Sequence, residues 1–243
     1  MIVAPQTIYV TMLARKDNCL MLNNKKIVIF DWGGIVFNFQ AEDAIVQIWR
    51  NVAKRLKLNI SEELLQQWDT WDFNMSSDNY ETVNSDFYRV LKLCGIEADA
   101  KLIKKCRLIV DEEIKKAPKH PKVADFINNL IASDRCLVGV LSNLSTCYAP
   151  AINTQLPLSA FDYVWLSFRM GCQKPQNDIY EKVEKDCGLN PADILFFDDG
   201  EENISAARKR GWNTCLIDET LDEDLRVKIF SDTINNFLNI EKD

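Results

Sequence analysis

Ile27-Val28-Ile29-Phe30-Asp31-Trp32-Gly33-Gly34 is the stretch whose reading decides the fold. Its first four residues form an unbroken apolar run rich in β-branched side chains. A strand half exposed to water alternates polar and apolar residues, so an unbroken run points to a parallel strand covered on both faces. The run stops abruptly at a carboxylate, then a tryptophan and two glycines. Glycines there permit a sharp turn or a close approach of backbone to a ligand. A strand-ending aspartate alone usually caps the turn or helix that follows. It is also what occupies the carboxyl edge of an open parallel sheet, where such folds bind ligands.

Downstream the pattern changes. Ile45, Ile48, Trp49, Val52 and Leu56 recur at helical spacing. Ser61 is a plausible N-cap for a second helix, with Glu62 and Glu63 in its first turn. Two more helical stretches follow at roughly 85–94 and 98–116, and Pro118 and Pro121 then break the run. Residues 41–117 contain no strand pattern and read as an all-helical insert. Beyond them strand and helix alternate, as a doubly wound α/β fold requires. Val123, Phe126, Ile127, Leu130 and Ile131 mark a helix, and Leu137–Leu141 a strand ending at Ser142-Asn143. Tyr163–Leu166 is a short strand, and the helix of Ile179, Val183 and Cys187 closes at Gly188. Ile194–Phe197 is a strand ending at Asp198-Asp199. The next helix opens on Glu201-Glu202, closes on Arg208-Lys209-Arg210 in accord with its dipole, and stops at Gly211. A strand over Thr214–Ile217 and a final helix complete the pattern. The fold expected is therefore α/β: a doubly wound, Rossmann-like parallel sheet core from residues 25–40 and 118–243 with the helical insert at 41–117. Residues 1–24 are an N-terminal extension, with Met21 as an alternative start. Their apolar patch Ile8–Leu13 is too short to span a membrane, and Arg15 and Lys16 follow it where a signal peptide would place charges before it.

Composition narrows the function. The chain of 243 residues is 47% hydrophobic and carries a net charge of −7, which disfavours broad nucleic-acid binding and means that an anionic substrate needs a local site. A single histidine, His120, leaves no material for Ser-His-Asp or Cys-His catalysis or for a multi-histidine metal centre. Beside Pro121, His120 reads as structural. The eight cysteines are scattered without a CxxC, which points to reduced, mostly buried thiols of a cytoplasmic protein.

Three strands thus end in polar residues, at Asp31, Ser142-Asn143 and Asp198-Asp199, and a loop supplies Lys174-Pro175. Carboxylates at Asp31 and Asp199 suit a shared hard cation such as magnesium. Lys174 and the Ser142 hydroxyl suit phosphate oxygens, and Asp31 suits nucleophilic attack on phosphorus. Asp198 reads equally as support for this site or as a helix cap. Trp32 either borders the substrate or packs beneath the insert, and Trp68, Trp71, Phe73 and Tyr80 read mainly as core aromatics of the insert.

These motifs resemble the haloacid dehalogenase-like superfamily. IVIFDWGG resembles its first motif, VLSN its second, the KP of GCQKPQNDIY its third and FFDDGEENISAARKRGW its fourth, in the family's order from about residue 25 onward. Within the superfamily the Ser-Asn of the second motif and the FFDD…N of the fourth are most similar to sugar-1-phosphate phosphatases of the α-glucose-1-phosphate type and to the phosphatase domain of soluble epoxide hydrolases. The resemblance implies a helical cap at 41–117 and a magnesium-dependent phosphatase. It acts on a small phosphomonoester, a sugar phosphate among the candidates, through an aspartyl-phosphate on Asp31. It implies catalytic roles for Asp31, Lys174 and Ser142, and substrate contacts from Ser142, Asn143, Lys174, Trp32, Gly33 and Gly34. Metal ligands would be Asp31, Asp199 and the Gly33 carbonyl, with Asp198 in support and Asn203 orienting metal-bound water.

One position departs from the family pattern. Most of its phosphatases carry a second aspartate two residues after the nucleophile, and here that residue is Gly33. Glycine still offers a carbonyl to a metal but no general acid or base, whose contribution is about 10²–10⁴-fold in rate. The sugar-1-phosphate phosphatases that the chain resembles share this glycine. Two alternatives follow: a 2-haloacid dehalogenase, which the Asp198-Asp199 pair disfavours, and a catalytically weak binding or regulatory protein, which Gly33 favours.

Overall fold

The computed structural model describes residues 25–36, 44–66, 84–116, 120–148 and 156–239. The N-terminal extension and the aromatics Trp68, Trp71, Phe73 and Tyr80 lie outside them. Strand β1 (Ile27–Phe30) is followed by helices α1 (Ala44–Leu56), α2 (Glu62–Leu65), α3 (Ser85–Leu93) and α4 (Ala100–Lys116). The alternating part then runs α5 (Pro121–Ser133), β2 (Leu137–Ser142), β3 (Tyr163–Leu166), α6 (Ser167–Met170), α7 (Asn177–Cys187), β4 (Ile194–Asp198), α8 (Glu201–Lys209), β5 (Asn213–Leu216) and α9 (Glu223–Asn239). No helix among the described residues is long and apolar enough to cross a membrane.

All five strands are parallel, in the order β3-β2-β1-β4-β5. The first strand is central, and its four side chains are fully buried because each face is covered by helices. Val28 and Phe30 face one core, shared with α5, α9 and the helices α1–α4. Ile27 and Ile29 face the other, shared with α7 and α8. Phe30 stacks on Phe197 at 5.2 Å and meets Phe230 edge-on at 5.5 Å, so an aromatic cluster locks β1, β4 and α9 directly beneath the carboxyl ends of the strands.

The strand order reverses direction around β1: the chain moves outward through β2 and β3, then returns to add β4 and β5 on the opposite side. A crevice opens outside the carboxyl edge of a parallel sheet at such a switch point. Register places the polar strand ends there. Phe30 is level with Val140 and with Phe197, and the Asp31 N–H continues the ladder by donating to the Phe197 carbonyl at 2.9 Å. Asp31 is therefore level with Asp198 on the neighbouring strand.

Candidate active site

Asp31, Asp198 and Asp199 converge at this edge, with one oxygen from each lying within 4.8 Å of the others. The Asp31 Oδ1 accepts the N–H of Trp32 at 2.6 Å, and its Oδ2 lies 3.0 Å from the Lys174 ammonium. Lys174 is almost wholly buried and donates also to Asp198 Oδ2 at 2.6 Å. Asp198, fully buried, has both oxygens committed, because its Oδ1 accepts the Gly200 N–H at 2.7 Å and the Asn203 amide at 2.9 Å. Asp198 is thus not itself the cap of α8, whose N-cap is Gly200; it holds the loop entering that helix and the Lys174 ammonium. Asp199 differs. Among the described residues no other group donates a hydrogen bond to its carboxylate, which lies against Gly34 instead. A Cβ on Gly34 would come within 1.9 Å of the Asp199 Oδ2, and the φ of +69° there also requires glycine.

The remaining motif residues are placed as follows. Ser142 ends β2 and is buried, and no described residue engages its hydroxyl. Asn143 spends its whole amide on the main chain of Lys174, donating to its carbonyl at 2.8 Å and accepting its N–H at 2.9 Å. Trp32 is 2% exposed and meets Phe161 edge-on at 6.4 Å, so its indole packs in the core. Gly33 is partly exposed at the turn.

The electrostatics follow from crowding. Burial pushes the Asp31 carboxyl up; Lys174 pulls it down, Asp198 and Asp199 push it further, and it settles at about 7. Burial, with Asp198 adjacent, pushes Asp199 up to about 6. For Lys174 burial works against the charge, but Asp198 and Asp31 outweigh it and the ammonium is held above its ordinary value. One ammonium against three carboxylates leaves net negative charge in a largely buried cluster. A hard divalent cation relieves that condition, and an all-oxygen donor set fits one. Asp198 already meets three donors and Asp31 two, whereas Asp199 meets none from another described residue, so Asp199 and then Asp31 have the most acceptor capacity left for such an ion.

A family model for haloacid dehalogenase-like hydrolases matches residues 25–211, which include every one of these groups. The chain belongs to the haloacid dehalogenase-like hydrolase family. It is 25% identical over 200 residues to the D-ribitol-5-phosphate phosphatase of Bacteroides thetaiotaomicron, spanning 78% of this chain and 90% of that protein. A crystal structure of a haloacid dehalogenase-family enzyme from the same organism, in complex with magnesium and inorganic phosphate, is similar with a TM-score of 0.56 at 17% identity. It covers 82% of this chain and 97% of its own. The L-2-haloacid dehalogenase of Xanthobacter autotrophicus, with chloropropionic acid covalently bound, is similar with a TM-score of 0.55 at 19% identity, covering 88% and 87%. At these identities the two structural likenesses establish a shared fold.

This hydrolase also buries a residue at the site that the motifs do not mark. Arg226 of α9 is fully buried and donates to three carbonyls: Gly34 and Glu219 through its terminal nitrogens, and Leu221 through Nε at 3.0 Å. It ties the turn after β1 to the loop after β5. The signal was present in the spacing 226, 230, 234, 237, which places this arginine in line with the buried face of α9.

Proposed function

We propose that this hydrolase is a magnesium-dependent phosphatase that cleaves a small phosphomonoester through a covalent aspartyl-phosphate on Asp31. One observation carries the reading: a buried carboxylate at the end of the central strand, bonded to a buried lysine and flanked by two further carboxylates. The Asp31 oxygen attacks phosphorus, an O–P bond forms, and the ester oxygen leaves. Water then hydrolyses the acyl phosphate and returns the carboxylate. Lys174 neutralises both nucleophile and phosphoryl group, and the uncommitted Ser142 hydroxyl donates to a phosphoryl oxygen. Asn143, with its amide spent on Lys174, serves by fixing the lysine-bearing loop. Magnesium held by Asp31, Asp199 and the Gly33 carbonyl would supply the remaining positive charge for the transferring group. Because Gly33 brings no acid, the leaving oxygen takes its proton from solvent, which favours esters with good leaving groups.

Helices α1–α4, within residues 41–117, act as the cap that selects the substrate over the strand ends. The D-ribitol-5-phosphate phosphatase likeness supports a phosphorylated sugar or polyol as the substrate class. The described cysteines are all unpaired, which supports a cytoplasmic setting. The test is phosphate release from p-nitrophenyl phosphate and a sugar-phosphate panel with and without magnesium, for wild type and Asp31→Asn. Metal-dependent turnover that disappears in the variant is expected. Turnover that survives the substitution, or none on any ester, would sink the proposal.

A further inference from the structure

The helical segment between β1 and α5 is fastened to the loop after Ser142 by a buried carboxylate. Asp86, in the first turn of α3, is fully buried. Its Oδ2 accepts three hydrogen bonds, from the Ser145 hydroxyl at 2.8 Å, the Thr146 N–H at 2.7 Å and the Thr146 hydroxyl at 2.8 Å. The fastening runs both ways, because the Thr146 Oγ1 accepts the Asp86 N–H at 3.3 Å. Helix α3 has no side-chain cap of its own at Asn84, so a residue of the sheet domain satisfies one of the orphan N–H groups at its start. A second bolt lies alongside: the Trp49 indole of α1 donates to the Tyr148 hydroxyl at 3.0 Å, and both residues are buried.

The held loop is the one that carries the phosphate-facing residues. Ser142 and Asn143 immediately precede it, and Leu144 is pinned from the other side by the Ser167 hydroxyl at 3.0 Å. Asn143 holds the main chain of Lys174, whose ammonium reaches Asp31. A connected path therefore runs from α3 by hydrogen bonds to Ser145-Thr146, along the main chain back to Asn143, and by hydrogen bonds again to the Lys174 main chain, whose ammonium reaches Asp31.

We propose that Asp86 is a positioning residue: it sets the register of residues 142–148 against α3, and through them the placing of Ser142, Asn143 and Lys174. Its functional half rests on the phosphatase reading; the fastening itself does not. All three donors converge on a single oxygen, so an amide oxygen in the same place can accept them, while Arg89, 3.5 Å from Oδ1 and partly exposed, can swing away. Asp86→Asn should therefore act as the conservative rescue and Asp86→Ala as the loss.

Hydrogen–deuterium exchange over residues 144–148 tests the fastening, and kcat and KM on p-nitrophenyl phosphate with magnesium test the positioning. A core variant on α9, Ile234→Ala, which removes none of these hydrogen bonds, controls for lost stability alone. Losing bonds to a charged acceptor should speed exchange and lower kcat/KM by about 10–100-fold in Asp86→Ala, with Asp86→Asn within about threefold of wild type. Unchanged exchange in Asp86→Ala overturns the fastening. Faster exchange with a kcat/KM no lower than that of Ile234→Ala overturns the positioning role. If Asp86→Ala does not fold, Thr146→Val and Ser145→Ala, which cut the same bonds from the other side, decide by the same two readouts. A wild type without turnover refutes the phosphatase reading and with it the positioning half, leaving exchange to decide the fastening.

Discussion

Replacing Lys174 by methionine removes one ammonium and little volume, so its effect isolates charge. The nitrogen sits 3.0 Å from Asp31 and 2.6 Å from Asp198 with almost no solvent contact. Its loss leaves three carboxylates facing one another in a largely buried cluster that water screens only weakly. Removing one partner of a buried ion pair costs about 3–5 kcal/mol. In a domain of this size each kcal/mol moves Tm by about 2–4 °C, so Lys174→Met should melt about 6–20 °C below wild type at pH 8. The sign with pH follows from the carboxyls. Lys174 pulls Asp31 and Asp199 down, so without it both rise further above about 7 and about 6, and both become neutral as pH falls. The deficit must therefore shrink toward pH 5. Adding Asp198→Asn to the variant should recover much of the loss at pH 8, because the uncompensated charge is then reduced from the other side. Circular-dichroism melts of the three proteins in EDTA at pH 5 and pH 8 measure this. A Lys174→Met protein within 2 °C of wild type at pH 8, or a deficit that grows on acidification, would refute the reasoning.

Asp199→Asn should behave in the opposite way. Its folded-state value of about 6 stands above the ordinary 3.8, so its contribution to stability is full at low pH and lost as pH rises through about 6. The variant should be more stable than wild type by about 1–2 kcal/mol at pH 8 in EDTA, should lose that advantage by pH 4, and should show no magnesium-induced rise in Tm; lower stability in EDTA at pH 8 counts against the crowding argument. His120 is buried with its Nε2 unpartnered among the described residues; burial and Arg226 lower its affinity for a proton, and Glu223 only partly restores it. Its stabilising contribution is thus intact above the unfolded value of about 6.5 and lost as pH falls below it. His120→Gln should gain on wild type in Tm between pH 7.5 and pH 5, and a constant difference across that range would show that the ring does not titrate on unfolding.

The sheet was legible because burial on both faces leaves a mark that needs no partner to be read. Ile27–Phe30, Leu137–Ser142 and Ile194–Asp198 are apolar runs ending in polar residues, and the three strands pair side by side. The final strand was expected at Thr214–Ile217 and lies at Asn213–Leu216, one residue earlier. Ile217 is nevertheless buried and its N–H still bonds the Asp198 carbonyl, so the pairing was recognised and only its boundary shifted. The helix expected after Ser61 exists as a single described turn, with the Ser61 hydroxyl accepting the Leu64 N–H at 3.2 Å. Asp31, Asp198 and Asp199 could be grouped in advance because strand ends of one sheet must meet at one edge, while Lys174, on a loop, joined them only through the motif it belongs to. Asp86 could not be placed from sequence: it looks locally like an ordinary charged helix residue, and what distinguishes it is a set of donors that only the tertiary fold supplies. For Arg226 the spacing marks the buried face of α9, but its carbonyl partners appear only in the fold.

The bond from Arg226 to the Gly34 carbonyl joins residues 192 positions apart. The turn that follows β1 therefore leaves the ribosome well before the helix that clamps it. Until α9 emerges, Gly34 lacks its clamp and the acidic cluster lacks a neighbouring guanidinium. A contact of such range also costs loop-closure entropy before it returns any stabilisation, which places it late in refolding. During synthesis at about 5–20 residues per second, helices α1–α4 have about 5–20 s to form between the emergence of Lys116 and that of Arg226. The order of manufacture thus runs from insert to acidic cluster: helices α1–α4 can be in place before the cluster gains its neighbouring guanidinium.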